Sequence, residues 1–182
     1  MPYRVAIQSW HDFYIVAGSA SATLVGLLFV GLSLHLRVVL SRSEVRGLAR
    51  VTLANLGLIL VLSLFVMIPE GLSAIRFQLL ISGIISLFLI APSLVSASRS
   101  ETRTLRGFRL MLRLGLSAIA YAAVIVASGF FTQKSYRGAL SGLVAVIVAL
   151  LVVSLRNSWD LLVSVGAIAL ELPSPEGDEL QP

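Results

Sequence analysis

Few residues in this chain can do acid–base chemistry. His11 and Asp12 form the only adjacent acid–base pair, and His35 is the other histidine. If the intervening stretch is helical, the two histidines are about 36 Å apart, because a helix rises 1.5 Å per residue. They therefore cannot share a metal ion or a proton. We interpret the His11 and Asp12 pair as a solvated boundary rather than a catalytic pair.

Other catalytic signatures are missing from the sequence. It contains no cysteine, which excludes disulfides, thiolate metal sites and thiol nucleophiles. It also lacks a glycine-rich phosphate loop, an HExxH motif and a nucleophile elbow. We expect a protein that is not an enzyme, with no catalytic residue, no metal site and no cofactor.

The elements that would position any site are long apolar segments. Five of them contain no Asp, Glu, Lys or Arg. A helix of 18 residues is about 27 Å long, enough to cross a hydrocarbon core roughly 30 Å thick. We therefore predict an all-α membrane protein, a bundle of five transmembrane helices within one domain, 1–172. The predicted spans are 13–36, 51–69, 77–98, 114–133 and 138–155.

Basic residues predict the orientation of these spans. Of the 14 basic residues, nine lie in the connectors 37–50 and 99–113. Cytoplasmic connectors are rich in Lys and Arg, so we expect the N-terminus outside and the C-terminus in the cytoplasm. This asymmetry explains the net charge of +5 without a nucleic-acid partner. Arginines at helical spacing would contact anionic lipid headgroups: Arg42, Arg46 and Arg50, then Arg99, Arg103, Arg106 and Arg113.

Small residues recur along the first span. Gly18, Ala22 and Gly26 repeat every four residues, and hydroxyl residues follow a neighbouring line: Ser19, Thr23 and Ser33. Small residues at this spacing let helix backbones approach closely in a membrane. Three interpretations remain open: packing against the protein's own spans, a contact between subunits, and the lining of a pore.

Among the few polar residues of the other spans, Asn55 is the strongest single candidate for a functional role. An amide left bare in lipid costs several kcal/mol, so its side chain needs a hydrogen-bond partner on another helix. We favour a structural bond between helices over a role in binding a ligand.

The C-terminal part holds a second apolar helix. The stretch 161–172 is only about 18 Å long as a helix, too short to cross a membrane. Four of its residues have the spacing of a short coiled-coil seam: Leu161, Val165, Ile168 and Leu172. This helix would lie on the membrane or on the protein itself, or form an oligomer seam. The acidic, proline-containing tail 173–182 is predicted to be disordered.

Four features carry a resemblance to a known group of proteins: WHDFYIVAG, SASATLVGLLFVGLSL, the two arginine-rich connectors, and RNSWDLL. With them the chain resembles a widespread family of small bacterial multi-pass integral membrane proteins. The resemblance implies a location in the inner membrane and no established activity.

The small-residue spacing and the missing chemistry suggest a function through helix–helix association. The chain would act as a homo-oligomer or as an accessory subunit of a membrane complex. The alternative is a small homo-oligomeric channel or transporter with a polar, uncharged path lined by Ser19, Thr23, Ser33 or Asn55.

Overall fold

The computed structural model describes residues 2–68, 71–99, 105–130 and 136–171. These residues form helices and no strands. The tail 173–182, together with Arg103 and Leu172, lies outside the described residues. The helices are α1 (Pro2–Leu34), α2 (Leu36–Ser41), α3 (Ser43–Met67), α4 (Leu72–Arg99), α5 (Leu105–Phe130) and α6 (Tyr136–Glu171).

Four helices contain apolar stretches long enough to cross a membrane. In lipid the backbone polar groups must be satisfied within the segment, and a helix does this because each amide bonds a carbonyl one turn away. The length and composition of these four stretches make the chain a multi-pass membrane protein. They are Trp10–Leu34, Val45–Met67, Ser73–Val95 and Gly138–Ile168.

The predicted span 114–133 differs from the other four. Its apolar part within the described residues is Leu114–Phe130, which is shorter than the four stretches above. Seventeen residues make about 25 Å of helix, just below the usual hydrocarbon thickness. The helix begins at Leu105, so α5 also includes part of the preceding arginine-rich connector. The described chain therefore has four long apolar helices and one shorter one, where five spans were predicted.

The C-terminal segment is continuous with the last span. Residues 138–155 and 161–172 were predicted as two helices, but α6 runs without interruption from Tyr136 to Glu171. The residues between them, 156–160, include no proline or glycine, so nothing in the backbone ends the helix there. The exposed side chain of Arg156 lies within this single long helix.

The buried apolar side chains form two separate clusters. The larger one centres on α3 and includes residues from α1, α4, α5 and α6, among them Tyr14, Leu56, Ile59, Leu79, Tyr121 and Ile147. The smaller one joins α1, α2, α3 and the last part of α6, through Leu28, Val39, Val45, Ala49, Leu161 and Val165. We call the part of the bundle around this smaller cluster the α2 end.

Glycines allow the closest helix contacts. A Cβ added to Gly18 in α1 would lie 3.0 Å from Cβ of Ser63 in α3. A Cβ on Gly83 in α4 would lie 2.7 Å from Ile125 Cγ1 in α5. Both distances are too short for ordinary packing, so the absent side chain is what lets these helix pairs approach.

Candidate functional site

The small residues of α1 divide between two sides of the helix. Gly18 is buried against Ser63 of α3. Ala22 and Gly26 are exposed, and a Cβ added to Gly26 would meet no atom within 4 Å. Within the described residues, the packing of the bundle therefore uses Gly18 but leaves the next two small residues of the repeat on the outer surface.

The hydroxyl residues of α1 lie on the same outer surface. Ser19, Thr23 and Ser33 are exposed. Their hydroxyls donate to carbonyl oxygens of their own helix, at 2.8 Å for Ser19 to Ile15, 2.9 Å for Thr23 to Ser19, and 2.8 Å for Ser33 to Val30. Such bonds satisfy a hydroxyl without a second helix. We define the small-residue face of α1 as the exposed residues Ser19, Ala22, Thr23, Gly26 and Ser33.

Asn55 of α3 lies in the bundle interior and not on its outer surface. Its side chain is fully buried. The amide Nδ2 donates to Ser117 Oγ at 3.0 Å, and Oδ1 accepts from the Tyr121 hydroxyl at 2.5 Å. Asn55 thus has the partner on another helix that its depth requires, and this pair of bonds connects α3 to α5.

The residues suggested as a polar path do not come together within one chain. Asn55 is buried between α3 and α5, whereas Ser19, Thr23 and Ser33 face outward from α1. The spacing of these residues in the sequence could not show that they lie on different surfaces, because this depends on which side of α1 faces the bundle. Tyr14 and Ala17 are buried in the larger cluster and Ser21 bonds to Leu56 of α3, so this side of α1 faces the bundle.

A buried serine of α1 has a role that the sequence did not reveal. Ser21 Oγ donates to the backbone carbonyl of Leu56 in α3 at 2.6 Å, and its side chain is fully buried. It lies three residues after Gly18, on the same inner side of the helix. Together with the contact between Gly18 and Ser63, this bond fixes α1 against α3.

Three further polar residues of α6 are buried. They are Ser154, Asn157 and Ser158, and no described protein group is a hydrogen-bond partner for their side chains. None of the three was predicted as a site residue: Ser154 fell at the end of the predicted span 138–155, and Asn157 and Ser158 fell beyond it. The continuity of α6 carries them into the packed bundle.

Arginines gather near the α2 end. Arg42 is the N-cap residue of α3, with an extended backbone at φ −113° and no side-chain cap hydrogen bond. Arg46 and Arg50 follow in the first turns of α3 with exposed side chains. Because α3 begins beside the smaller apolar cluster, these three positions lie at the same end of the bundle.

The second arginine set is described only in part. Arg99 ends α4, and Arg106 and Arg113 belong to α5. The structure does not describe the side chains of these three residues, and Arg103 lies outside the described residues. Their predicted contact with lipid headgroups stays a prediction.

The predicted seam of the C-terminal segment faces the protein's own helices. Leu161 and Val165 are buried in the smaller cluster, at 1% and 3% exposure, and Ile168 packs against it. They contact residues of α1, α2 and α3 rather than leaving a free stripe. Within one chain, Leu161, Val165 and Ile168 therefore pack against the protein itself, and the oligomer seam stays a prediction.

The acid–base pair of His11 and Asp12 lies apart from His35. His11 Nδ1 lies 3.4 Å from Asp12 Oδ1, and both residues are exposed. His35 lies at the turn between α1 and α2, with Nδ1 3.4 Å from the carbonyl oxygen of Gly31. Among the described residues, no three His, Asp or Glu side chains come close enough to hold a metal ion.

Comparison with protein families, with curated proteins and with solved structures finds no match for this chain. The resemblance to a family of bacterial membrane proteins therefore receives support only for its broadest part, a multi-pass helical membrane protein.

Proposed function

We propose that this protein is a non-enzymatic multi-pass membrane protein that works by self-association through the small-residue face of α1. The observation that carries the proposal is the exposure of Ala22 and Gly26, with open space around Gly26. A glycine inside a helix costs about 1 kcal/mol relative to alanine. Close helix packing offsets that cost at Gly18, and a second copy would offset it at Gly26.

The chemistry of the face suits another helix. Lipid chains are as apolar as the helices, so association in a membrane depends on close packing and on bonds between helices. Ala22 and Gly26 lack long side chains that would hold two backbones apart. The hydroxyls of Ser19 and Thr23 already bond within α1, so the face carries no donor that lipid would leave unsatisfied.

A second copy of the chain is the simplest partner for this face. A two-fold axis beside α1 would bring Gly26 of one copy against the same region of the other, which makes the contact self-complementary. Such a contact needs no charged groups, and the face has none.

The proposal also covers the membrane that holds the bundle and the orientation of the bundle in it. We place the protein in the bacterial inner membrane with its N-terminus outside and the C-terminus in the cytoplasm, α5 forming a fifth crossing. The concentration of arginines near the α2 end supports this orientation. Arg42, Arg46 and Arg50 would then contact anionic headgroups, each adding about 1 kcal/mol of attraction.

The test compares two leucine substitutions on α1. Gly26→Leu fills the small-residue face at a position with no intramolecular neighbour within 4 Å. Ala20→Leu is the matched control, because Ala20 is also exposed but lies about 120° away around the helix axis. Native mass spectrometry after extraction in mild detergent gives the stoichiometry, and photobleaching steps in lipid nanodiscs check it without detergent.

We expect the wild type and Ala20→Leu to be oligomeric and Gly26→Leu to be a folded monomer, all three with the same helical content by circular dichroism. A wild type that is monomeric in both environments overturns self-association. An unrelated protein that co-purifies at fixed ratio and is lost from Gly26→Leu also overturns it, and assigns the face to a different subunit. If both variants stay oligomeric, the contact lies on another surface and the proposal fails.

A further inference from the structure

A layer of polar side chains separates the two apolar clusters along α6. Leu150 belongs to the larger cluster and Leu161 to the smaller one. Between these two leucines, the buried side chains of α6 are those of Ser154, Asn157 and Ser158. At spacings of three and four residues they share one side of the helix. We call these three residues the polar layer.

The polar layer contains an amide with unmet hydrogen-bonding capacity. Asn157 is 1% exposed, and neither its Nδ2 nor its Oδ1 has a partner among the described residues. Exchanging the two atoms by turning the amide over does not help, because both positions lack a partner. The hydroxyls of Ser154 and Ser158 are unpaired in the same way. Buried polar groups in proteins are nearly always bonded to protein or to water, so this layer points to a ligand.

The polar layer differs from the other buried asparagine site in this respect. Asn55 donates to Ser117 and accepts from Tyr121, so protein groups satisfy one donor and the acceptor of its amide. Asn55 and Asn157 are the only asparagines in the sequence. One chain therefore holds a matched pair of buried amides, one with protein partners and one without.

We propose that Ser154, Asn157 and Ser158 form a site that binds water inside the helix bundle. The amide contributes N–H donors and an acceptor oxygen, and each hydroxyl can donate and accept. Water also does both, so one or two molecules can connect all three side chains.

Ions suit this layer less well than water. A cation would use the three oxygens but would leave the Asn157 Nδ2 donors without an acceptor. The layer itself supplies no carboxylate to balance the cation's charge. An anion would use the donors but would find no positive side chain within the layer. A neutral ligand with donors and acceptors satisfies every group without burying a net charge.

The experiment uses the two asparagines as sample and internal control. Protein labelled with ¹⁵N-asparagine in lipid nanodiscs or liposomes gives two side-chain amide signals. Arg156 precedes Asn157 and Ala54 precedes Asn55, so carbonyl-labelled arginine assigns the backbone nitrogen of Asn157, and ¹³C in the asparagine connects that nitrogen to its side-chain amide. Water-edited NMR then measures which amide receives magnetisation from water.

We expect a water cross-peak at the Asn157 side-chain amide and none at Asn55. The double variant Ser154→Ala, Ser158→Ala should weaken the Asn157 cross-peak, since the water loses two of its partners. Absence of a cross-peak at Asn157 in the wild type overturns the proposal. Equal cross-peaks at both asparagines also overturn it, because water would then penetrate the bundle generally. An undiminished cross-peak in a folded double variant excludes the serines from the site.

Discussion

Tyr121 donates its hydroxyl to Oδ1 of Asn55 across 2.5 Å, which joins α5 to the middle of α3. Ser117, one turn before Tyr121, accepts from the other end of the same amide. All three side chains are fully buried. The shorter apolar helix thus reaches the centre of the bundle through side-chain bonds as well as through apolar packing, and this makes the bonds a sensitive test of how α5 is held.

The first prediction concerns Tyr121→Phe. The substitution keeps the ring but removes the hydroxyl, so Asn55 Oδ1 loses its partner in an apolar interior. We expect the free energy of unfolding to fall by about 1–2 kcal/mol, the range for hydrogen bonds between membrane helices. Steric trapping in bicelles would measure it.

Ser19→Ala is the control for this loss. Its hydroxyl bonds only to Ile15 of its own helix on an exposed surface, so removal should change stability by less than about 0.5 kcal/mol. A double-mutant cycle of Tyr121→Phe with Asn55→Ala should show coupling. Additive effects of the two substitutions would mean that the bond does not form in the membrane.

The second prediction separates two glycines of the same repeat. Gly18→Ala brings a Cβ to 3.0 Å from Cβ of Ser63, an atom next to the backbone that cannot move freely. We expect a loss of about 1–3 kcal/mol in unfolding free energy, as for overpacked cores. Gly26→Ala has open space within its own chain, so in the dilute monomer it should stabilise the helix slightly, by up to about 1 kcal/mol.

The same unfolding assay in bicelles compares the two alanine variants. Ser63→Gly in the Gly18→Ala background should recover part of the loss, because it removes the Cβ that clashes. Equal effects of Gly18→Ala and Gly26→Ala would contradict the orientation of α1 described above.

The helices follow from the sequence, but their orientation does not. Uncharged apolar stretches predict membrane helices because length and composition alone decide whether a segment can cross a membrane. Which side of α1 faces inward depends on contacts with α3, such as that of Ser21 with Leu56. Small residues occupy both sides of α1, so periodicity could not distinguish the buried Gly18 from the exposed Gly26.

The charged residues Arg156 and Asp160 do not end α6. The uncharged run ends at Leu155 because Arg156 follows it, so the predicted span did not include Asn157. A long helix can carry such residues when their side chains reach toward a polar region. A charge in an otherwise apolar helix therefore limits where the membrane boundary lies, but it does not end the helix.

The third prediction tests the proposed orientation. The chain has no cysteine, so single cysteines can be introduced without a background. We expect His11→Cys and Lys134→Cys to react with a membrane-impermeant maleimide in intact spheroplasts, and Ser41→Cys to react only after permeabilisation. Arg42, Arg46 and Arg50 follow Ser41 in the sequence. The positive-inside rule places such a basic connector in the cytoplasm, so Ser41 is expected there too.

Lys134 also reports on α5 in this assay. If α5 crosses the membrane, position 134 lies on the same side as position 11. Labelling of Lys134→Cys only after permeabilisation, with His11→Cys accessible, would show that Leu114–Phe130 does not cross. Accessibility of Ser41→Cys in intact spheroplasts would reverse the proposed orientation.

The fourth prediction distinguishes packing from oligomerisation at the end of α6. Leu161 is 1% exposed in the smaller cluster, whereas Leu155 is 59% exposed on the same helix. We expect Leu161→Ala to lower the unfolding free energy by about 2 kcal/mol. This loss is at the lower end of the range for substitutions of buried leucines by alanine, because the unfolded membrane chain stays in an apolar medium. Leu155→Ala should have little effect, and neither substitution should change the stoichiometry seen by native mass spectrometry. An oligomer that dissociates in Leu161→Ala at unchanged stability would instead make Leu161, Val165 and Ile168 a contact between subunits.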